Sequence, residues 1–283
     1  MNCAIIGTGK IGIDIYLKCK KNNLFDKVSI FNLNNKSEGA KHCIKKKFDY
    51  SDKGIDEIIK HIEKFDVLFD ASSANASINH FNKIKKFLDK LHFVNLTPAP
   101  IGKFYIPYFK ISNKLNSANL ITCGGQSTIP LIYEINNYFK SVKYVEVVSA
   151  ISSKSAGPAT RANIDQYIMN TKRAIKQFTK IKDVKVIFNL NPNEPPVNMT
   201  NSVYFELTKN LNKYDYKNIN RILKKINTFM KKIIKGFNIQ FIGNIKDKII
   251  KFSIEVVGNG DYLPKYSGNL DIITCVAVKY AEK

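Results

Sequence analysis

Residues 3–12 read CAIIGTGKIG, a short apolar run followed by three glycines in the spacing GxGxxG. A helical pattern of apolar residues follows, through Ile15, Leu17 and Leu24. The order of strand, glycine turn and helix is the context in which this spacing indicates a dinucleotide-binding turn, because amides at the helix start can bind a pyrophosphate. We therefore predict that contacts to a cofactor come from four residues of the turn: Thr8, Gly9, Lys10 and Ile11.

Apolar runs alternate with helical stretches as far as residue 122. Further strands are predicted at residues 28–33, 66–70, 93–96 and 119–122, with a helix at residues 80–91. Strands that alternate with helices along the chain are typical of a parallel, doubly wound sheet. The N-terminal part is therefore predicted to be a Rossmann-type domain of the α/β class.

The pattern changes after Pro130, where longer strands with alternating apolar residues appear. These strands are predicted at residues 144–151, 184–190, 202–207, 237–242 and 249–257. Helices are predicted at residues 133–139, 162–178 and 216–235. Together they indicate an α+β domain with a mostly antiparallel sheet covered by helices on one face.

Two domains follow from this change of pattern. We predict a dinucleotide-binding domain over residues 1–128 and a catalytic and oligomerisation domain over residues 129–267. The last stretch, residues 268–283, is helical in pattern and is predicted to pack back on the first domain.

The composition is that of a globular protein, with 283 residues of which 44% are hydrophobic. No apolar run reaches the length of about 18 residues that a membrane span needs, and the N-terminus does not have the pattern of a secretory signal. The five cysteines include no CxxC pair and no histidine at a zinc-binding spacing. These features predict a cytoplasmic protein without a metal site or a membrane contact.

Lysine dominates the charge of the chain. There are 45 basic residues against 23 acidic ones, a net charge of +22, but only Arg161, Arg173 and Arg221 are arginines. Arginine supplies the bidentate and stacking contacts typical of nucleic-acid interfaces. The lysines are therefore interpreted as solvated helix faces and loops that also attract an anionic cofactor, and no nucleic-acid partner is predicted.

Cys123 lies in the segment TCGGQSTIP, residues 122–130. We expect it at the end of a strand, followed by two glycines and by a helix that starts with Ser/Thr and Pro130. Backbone amides and the positive end of a helix would then converge on the thiol, lower its pKa and offer donors to an oxyanion. Cys123 is the candidate nucleophile, whereas the four histidines precede it and are interpreted as surface or packing residues.

Two further segments carry polar groups suited to a ligand. Residues 153–163 read SKSAGPATRAN, a loop rich in amides and hydroxyls that contains Arg161. In the segment at residues 261–271, Asn269 is expected either to cap the final helix or to reach the cofactor.

The end of the second predicted strand lacks the acidic residue that usually binds the ribose hydroxyls of NAD. Asn32, Asn34 and Asn35 stand there, followed by Lys36. An amide can still hydrogen-bond a ribose, and a 2′-phosphate would be repelled less without a carboxylate. The sequence therefore leaves the preference between NAD and NADP open.

Several strings taken together resemble the acylating, CoA-dependent acetaldehyde dehydrogenases over nearly the whole chain. They are IIGTGKIG, FDASSA, NLTPAPIG, TCGGQSTIP, SAISSKSAGPATRANID, NPNEPP and GDYLPKYSGNLDI. The resemblance implies the two-domain plan of semialdehyde dehydrogenases and glyceraldehyde-3-phosphate dehydrogenase. It also implies oxidation of a short aldehyde with NAD and coenzyme A to acyl-CoA and NADH, as in aromatic hydrocarbon catabolism. The expected partners are a second copy of the chain and a 4-hydroxy-2-oxovalerate aldolase that channels the aldehyde.

The resemblance also assigns site residues. The nucleophile of the family, which forms an acyl-thioester, falls on Cys123, and the cofactor turn falls on the residues from Thr8 to Ile11. The remaining cofactor contacts fall on ten residues: Ser155, Ala156, Gly157, Pro158, Ala159, Thr160, Arg161, Ala162, Asn163 and Asn269. Amides near Gly124 and Gly125 are expected to hold the oxyanion.

Two acids of the family pattern are replaced by asparagine. Family members usually read EPPLIMRDT where residues 194–202 read EPPVNMTNS, so Asn201 stands at the position of a proposed catalytic acid. Asn34 stands where an acid usually follows the second strand. Because an amide takes no proton at neutral pH, turnover is expected to be slower, and Asn201→Asp is expected to raise it.

Three other functions compete with this interpretation. A semialdehyde or acyl-phosphate reductase would share the fold and the thioester but would need a histidine after the cysteine, where this chain has none. A catalytically weakened subunit that mainly supports an aldolase is favoured by the two replaced acids and opposed by the intact segment around Cys123. A nucleic-acid-binding protein is supported by the net charge alone.

Overall fold

The computed structural model describes residues 1–110, 116–140, 142–243 and 248–282. The chain divides into two compact units, one formed by Met1–Leu120 with Ile273–Lys283 and the other by Ile121–Ile272. Within the described ranges, none of the helices combines the length and apolar character that crossing a membrane requires.

The first unit is built around a parallel sheet, as the alternation of strands and helices predicted. Its strands are β1 Asn2–Ile6, β2 Lys27–Phe31, β3 Tyr50–Ser51, β4 Val67–Asp70, β5 His92–Asn95, β6 Lys103–Phe104 and β7 Ser117–Asn119. Their order in the sheet is β3-β2-β1-β4-β5-β7-β6, and every pairing is parallel. The helices of this unit are α1 Lys10–Lys21, α2 Glu38–Lys45, α3 Gly54–Lys60 and α4 Ala74–Ile84.

Consecutive residues are buried in the central strands of this sheet, as in the run from Val67 to Asp70 in β4. Such runs form where both faces of a parallel sheet are covered, so five of the seven strands could be predicted from apolar runs; the two-residue strands β3 and β6 were not. Helix α1 ends at Lys21, before Leu24, and α2 and α3 were not predicted. Helix α2 begins at the N-cap Ser37, whose hydroxyl accepts a hydrogen bond from the Ala40 amide at 3.2 Å.

The second unit contains a mixed sheet with strands β8 Val142–Ser152, β9 Asp183–Asn191, β10 Met199–Leu207, β11 Gly236–Ile242 and β12 Ile249–Val257. Their order is β11-β12-β10-β8-β9, and of the pairs among these five strands only β8 with β9 is parallel. The helices are α5 Cys123–Phe139, α6 Pro158–Ala162, α7 Ile164–Thr179 and α8 Lys213–Met230. The prediction of a mostly antiparallel sheet with helices is confirmed.

Alternate residues of the antiparallel strands are buried, for example Val203 and Phe205 in β10, with the more exposed Tyr204 between them. One face of the sheet therefore packs against helices, among them α5, α7 and α8.

Helix α9, Gly268–Ala281, closes the chain. Its residues from Ile273 onward belong to the first unit, where the Asn22 side chain donates to Glu282 Oε1 at 3.2 Å and the Tyr280 ring lies against Tyr105.

Candidate active site

The glycine turn of the first unit connects β1 to α1, and two of its glycines are required by close backbone contacts. Gly7 has a φ of +108°, and a Cβ there would lie 2.5 Å from the Ala71 carbonyl oxygen. A Cβ on Gly12 would lie 1.9 Å from the Gly7 carbonyl oxygen. Gly12 thus lets α1 pack directly on the turn, as the third glycine of the spacing predicted.

Gly9 has a different surrounding, because a Cβ on it would meet no atom within 4 Å. It is the N-cap residue of α1, with no side-chain capping bond and no acidic residue in the first turn of the helix. A helix start leaves amide groups without acceptors in the helix and attracts anions. The open space beside Gly9 therefore fits a phosphate group.

The side chains of the turn differ in exposure. Thr8 is buried, with its hydroxyl oxygen 3.2 Å from that of Ser37, while Lys10 is exposed and Ile11 is half-buried. The Asn32 amide, just after β2, donates to the Asn34 carbonyl at 2.9 Å and to the Ser37 hydroxyl at 3.2 Å. The loop after β2 is thus fixed next to Thr8 by amides and hydroxyls.

The buried His80 beside this turn is a packing residue, as predicted. Its Nδ1 lies 3.0 Å from Asp70 Oδ2 at the end of β4. The other carboxylate oxygen of Asp70 accepts from the Ser72 amide at 3.0 Å. This arrangement holds the backbone at Ala71, against which Gly7 packs.

Cys123 is the first residue of α5 in the second unit. Thr122 caps the helix, because its side chain accepts a hydrogen bond from the Gly125 amide at 2.9 Å. The prediction that the helix starts near Pro130 was wrong: this proline lies inside the helix. A proline usually marks a helix start, and here the cap at Thr122 begins the helix eight residues earlier.

The Cys123 sulfur lies 3.7 Å from the hydroxyl oxygen of Tyr167, a residue of α7. The same hydroxyl oxygen accepts a hydrogen bond from the Gly124 amide at 3.0 Å. The Tyr167 ring packs against Phe188, with the ring centroids 4.3 Å apart. A phenol hydroxyl is therefore held beside the candidate nucleophile.

Both amides that the sequence offered for an oxyanion already have acceptors. The Gly124 amide donates to Tyr167, and the Gly125 amide donates to the Thr122 cap. In this structure neither amide is free to donate to an oxyanion at Cys123.

The expectation of a lowered pKa at Cys123 was also wrong. Burial raises the pKa of this thiol to about 11, and this outweighs the hydrogen bonds from Tyr167 and from the amides of Gly124 and Cys123, which lower it. Desolvation disfavours the thiolate more than these hydrogen bonds favour it. The protein without ligands therefore holds Cys123 as a thiol at neutral pH.

Cys123 is expected to react slowly with iodoacetamide at neutral pH in the absence of ligands. Because the thiolate is the reactive form and burial raises its pKa to about 11, the rate should rise about tenfold per pH unit from neutral pH to about pH 10. The rate is measured at Cys123 by peptide mass spectrometry, with free cysteine as the reference. A plateau below about pH 8 would show a preformed thiolate and contradict this expectation.

The side-chain amide of Asn201 in β10 is hydrogen-bonded at both its oxygen and its nitrogen. Its Oδ1 is 2.6 Å from the Ser149 hydroxyl, and its Nδ2 donates to the Ser127 hydroxyl oxygen at 3.1 Å. Ser127 in turn donates to the carbonyls of Cys123 and Gly124, each at 3.0 Å. Asn201 is therefore connected to the start of α5 but does not contact the Cys123 sulfur directly.

The loop predicted to bind a cofactor forms a short 3₁₀ turn at Ser153–Ser155 followed by α6. The Arg161 guanidinium donates to the Ala156 carbonyl at 3.2 Å and to the Ser153 carbonyl at 3.0 Å. Ser155 is buried and donates to the Ser152 carbonyl at 2.8 Å. The hydrogen bonds of Arg161 thus stabilise the conformation of the loop.

The remaining residues of that prediction lie in or next to α6. Gly157 is its N-cap residue, and a Cβ on it would meet no atom within 4 Å, as at Gly9. Helix α6 contains Pro158, Ala159, Thr160, Arg161 and Ala162, and Asn163 follows as its C-cap residue.

Asn269 is buried in the first turn of α9, one residue after the helix begins at Gly268, so it does not occupy the capping position. Its Oδ1 atom is buried and has no hydrogen-bond partner among the described residues. An unsatisfied buried amide oxygen is costly, which favours the alternative that Asn269 reaches a ligand.

Sequence reasoning missed Tyr167 and Ser149. Tyr167 stands in a helix that the apolar pattern predicted, and Ser149 in a predicted strand, so neither carries a local signal of function. Their position next to Cys123 is seen only in the structure, where both hydroxyls lie close to Gly124. A Cβ on Gly124 would lie 2.1 Å from the Tyr167 hydroxyl oxygen and 2.6 Å from the Ser149 hydroxyl oxygen. The two adjacent glycines of TCGGQ were the available hint that side chains approach closely there.

The family model and two relatives that match this chain are all described as acetaldehyde dehydrogenases. Residues 123–264 match the family model described as prokaryotic acetaldehyde dehydrogenase, dimerisation. The chain is 38% identical to acetaldehyde dehydrogenase of Geobacillus stearothermophilus, over 99% of this chain and 94% of that one. It is 36% identical to acetaldehyde dehydrogenase of Pectobacterium atrosepticum, over 98% and 93%.

Solved structures of the same fold include a probable aspartate-semialdehyde dehydrogenase from Pseudomonas aeruginosa, with a TM-score of 0.66, 10% identity and 99% and 97% of the two chains covered. Aspartate semialdehyde dehydrogenase II from Vibrio cholerae has a TM-score of 0.63 at 12% identity, with 98% and 97% covered. At such identities the likeness concerns the fold alone, and it confirms the predicted two-domain plan.

Proposed function

Because the chain belongs to the acetaldehyde dehydrogenase family, we propose that it oxidises a short aldehyde, acetaldehyde first, with NAD and coenzyme A to acyl-CoA, NADH and a proton. The observation that carries the proposal is the position of Cys123 at the start of α5, beside the hydroxyl of Tyr167. A thiol at a helix start with a neighbouring donor suits the formation of a thioester.

The Cys123 sulfur, having lost its proton, adds to the aldehyde carbonyl and forms a tetrahedral adduct. Loss of hydride from this adduct leaves a thioester on Cys123; a nicotinamide, when bound, would supply the hydride acceptor. The thiol of coenzyme A loses its proton to solvent and attacks the thioester. It takes the acyl group, and the Cys123 sulfur leaves as a thiolate. Because burial raises the pKa of Cys123 to about 11, the thiolate that adds to the aldehyde is a minor form at neutral pH, and its proton passes to solvent.

The residues that would hold the cofactor fit a dinucleotide. In the first unit the turn from Thr8 to Ile11 offers open space at Gly9 and a helix start without acids. In the second unit the proposed contacts are the residues from Ser155 to Asn163 and the buried, unsatisfied amide oxygen of Asn269. NAD is the proposed cofactor, and the amides near Asn32 leave NADP as an alternative.

Two partners belong to the proposal. The family model that matches residues 123–264 is named for dimerisation, which supports a homodimer. The aldehyde is proposed to come from a 4-hydroxy-2-oxovalerate aldolase in a channelling complex, as the resemblance implies.

A weakened subunit that mainly supports the aldolase is the second candidate. It is favoured by the amide of Asn201 at the position of the family acid and by the raised pKa of Cys123. A semialdehyde dehydrogenase shares the fold, but the full-length identity of 36–38% to the acetaldehyde enzymes cited above favours the first proposal.

The absorbance of reduced nicotinamide tests the proposal, with purified protein, acetaldehyde and NAD, in the presence and absence of coenzyme A. We expect continuous turnover only with coenzyme A, and acetyl-CoA as the product by mass spectrometry. Continuous turnover to acetate without coenzyme A would refute an acylating enzyme. Binding of NAD without any turnover would favour the weakened subunit.

Asn201→Asp is expected to raise the rate of acyl-CoA formation about tenfold, a modest share of what general bases usually contribute. A carboxylate at the Oδ1 position would lie next to Ser149, whose hydroxyl neighbours the Tyr167 hydroxyl that contacts the Cys123 sulfur. It could take a proton, which the amide cannot. It could not donate to Ser127 as Nδ2 does, so unfolding should cost about 1–3 kcal/mol less. Turnover and thermal unfolding measure the two effects.

Asn198→Asp is the matched control, because Asn198 binds Glu255 outside this group of residues and should show no gain in rate. The gain should also disappear in Asn201→Asp combined with Tyr167→Phe, where the connecting hydroxyl is missing. An unchanged rate in Asn201→Asp would remove the acid from the mechanism.

A further inference from the structure

We propose that Tyr167 is a catalytic residue whose hydroxyl donates a hydrogen bond to the Cys123 thiolate, with Ser149 and Asn201 as the positioning residues that orient it. The inference rests on the proposed function only in taking Cys123 as the nucleophile. It follows from counting the hydrogens in the buried group that runs from the sulfur to the first turn of α5.

The count begins at Ser127, which has a single hydroxyl hydrogen. That hydrogen points to the carbonyls of Cys123 and Gly124, which are acceptors only. The contact between Ser127 and Asn201 must therefore be made by a donor of the amide, and this places Nδ2 toward Ser127. The Asn201 amide oxygen then faces Ser149.

At Ser149 the direction is fixed in the same way. The Ser149 hydroxyl lies 2.6 Å from Asn201 Oδ1, which is an acceptor, so Ser149 donates its one hydrogen to Asn201. The Ser149 and Tyr167 hydroxyl oxygens are neighbours, because a Cβ on Gly124 would lie 2.6 Å from the first and 2.1 Å from the second. With its hydrogen on Asn201, Ser149 can offer Tyr167 only an acceptor, so the phenol hydrogen can turn toward Ser149 or toward the sulfur.

Tyr167 therefore has two acceptors for one hydrogen, the Ser149 oxygen and the Cys123 sulfur. Its own oxygen already accepts from the Gly124 amide at 3.0 Å, which holds it in place. While Cys123 is a thiol, it donates to the Tyr167 oxygen and the phenol hydrogen points to Ser149. When the thiol proton has passed to solvent, rotation of that phenol hydrogen places a donor on the sulfur, and no other bond of the group changes.

The surroundings make this hydroxyl decisive. In the described part of the chain, the side chain that acts on the Cys123 sulfur is Tyr167 from α7, and the other contributions come from burial and from the amides of Cys123 and Gly124 in α5. From β8 and β10 the neutral Ser149 and Asn201 complete the group. Within the described ranges no charged group shifts the pKa of Cys123, so a thiolate there depends on hydrogen bonds.

Tyr167→Phe is the test. The rate of Cys123 alkylation by iodoacetamide is measured against pH by peptide mass spectrometry, without aldehyde, nicotinamide or coenzyme A. We expect the profile to move to higher pH by about one to two units and the rate at neutral pH to fall on the order of tenfold to a hundredfold. Tyr216→Phe, an exposed tyrosine of α8, is the control and should leave the profile unchanged.

Ser149→Ala keeps the inference testable if loss of the phenol disturbs folding. Removing the competing acceptor should move the profile to lower pH, opposite to the shift in Tyr167→Phe, whereas general damage to the site would move both the same way. Superimposable profiles of the wild type and Tyr167→Phe, or a shift of Ser149→Ala to higher pH, would overturn the assignment. Because no substrate is used, failure of the proposed function is a separate result, seen only in the turnover assay.

Discussion

Cys123→Ala is expected to reduce CoA-dependent turnover by about a thousandfold or more, because nucleophiles of covalent catalysis account for losses of at least this size. Without the sulfur there is no adduct from which hydride can leave and no thioester for coenzyme A to cleave. Reduced nicotinamide is measured under saturating aldehyde, NAD and coenzyme A. Wild-type protein given aldehyde and NAD alone should gain the mass of one acyl group on the peptide that contains Cys123.

Cys275→Ala is the control for this experiment, because Cys275 is a half-buried cysteine of α9 outside the proposed site. It should retain turnover and the acyl adduct. Thermal unfolding of both variants separates loss of chemistry from loss of structure. Turnover above about a tenth of the wild-type value in Cys123→Ala, with the fold intact, would show that another group forms the acyl intermediate.

Gly124→Ala is expected to lower turnover on the order of a hundredfold, although it adds one methyl group next to an intact nucleophile. The Cβ would lie 2.1 Å from the Tyr167 hydroxyl oxygen and 2.6 Å from the Ser149 hydroxyl oxygen. Neither group can stay, so the hydroxyl moves off the sulfur and the Gly124 amide loses its acceptor. Overpacking of this kind costs about 1–3 kcal/mol of stability.

Activity and stability should respond differently in the double variant Gly124→Ala with Tyr167→Phe. Removing the hydroxyl relieves the closest contact, so part of the lost stability returns in thermal unfolding. Turnover should not return, because the donor to the sulfur is now absent altogether. Asn137→Ala, at an exposed position of the same helix, controls for the substitution and should match the wild type. Full activity in Gly124→Ala would mean that turnover does not depend on the present position of the Tyr167 hydroxyl.

The outline of the fold was accessible from the sequence because its signals are local. The run CAIIGTGKIG contains the strand, the turn and the helix start within ten residues, and the structure shows the close contacts that require Gly7 and Gly12. Strand β12 has the predicted bounds, 249–257, because its alternating apolar residues record which face is buried. The start of α5 was misplaced because a cap at Thr122 and a proline inside the helix give opposite local signals.

The fold class, the family resemblance and the candidate nucleophile could all be predicted, since each depends on residues that are adjacent along the chain. The surroundings of the Cys123 sulfur could not be predicted, because Tyr167 is 44 positions away from Cys123 and Asn201 binds Ser127 across 74 positions. The tertiary structure also shows that burial raises the pKa of Cys123, reversing the effect expected from a helix start. Desolvation depends on every element packed around a group, and no local pattern of residues records that sum.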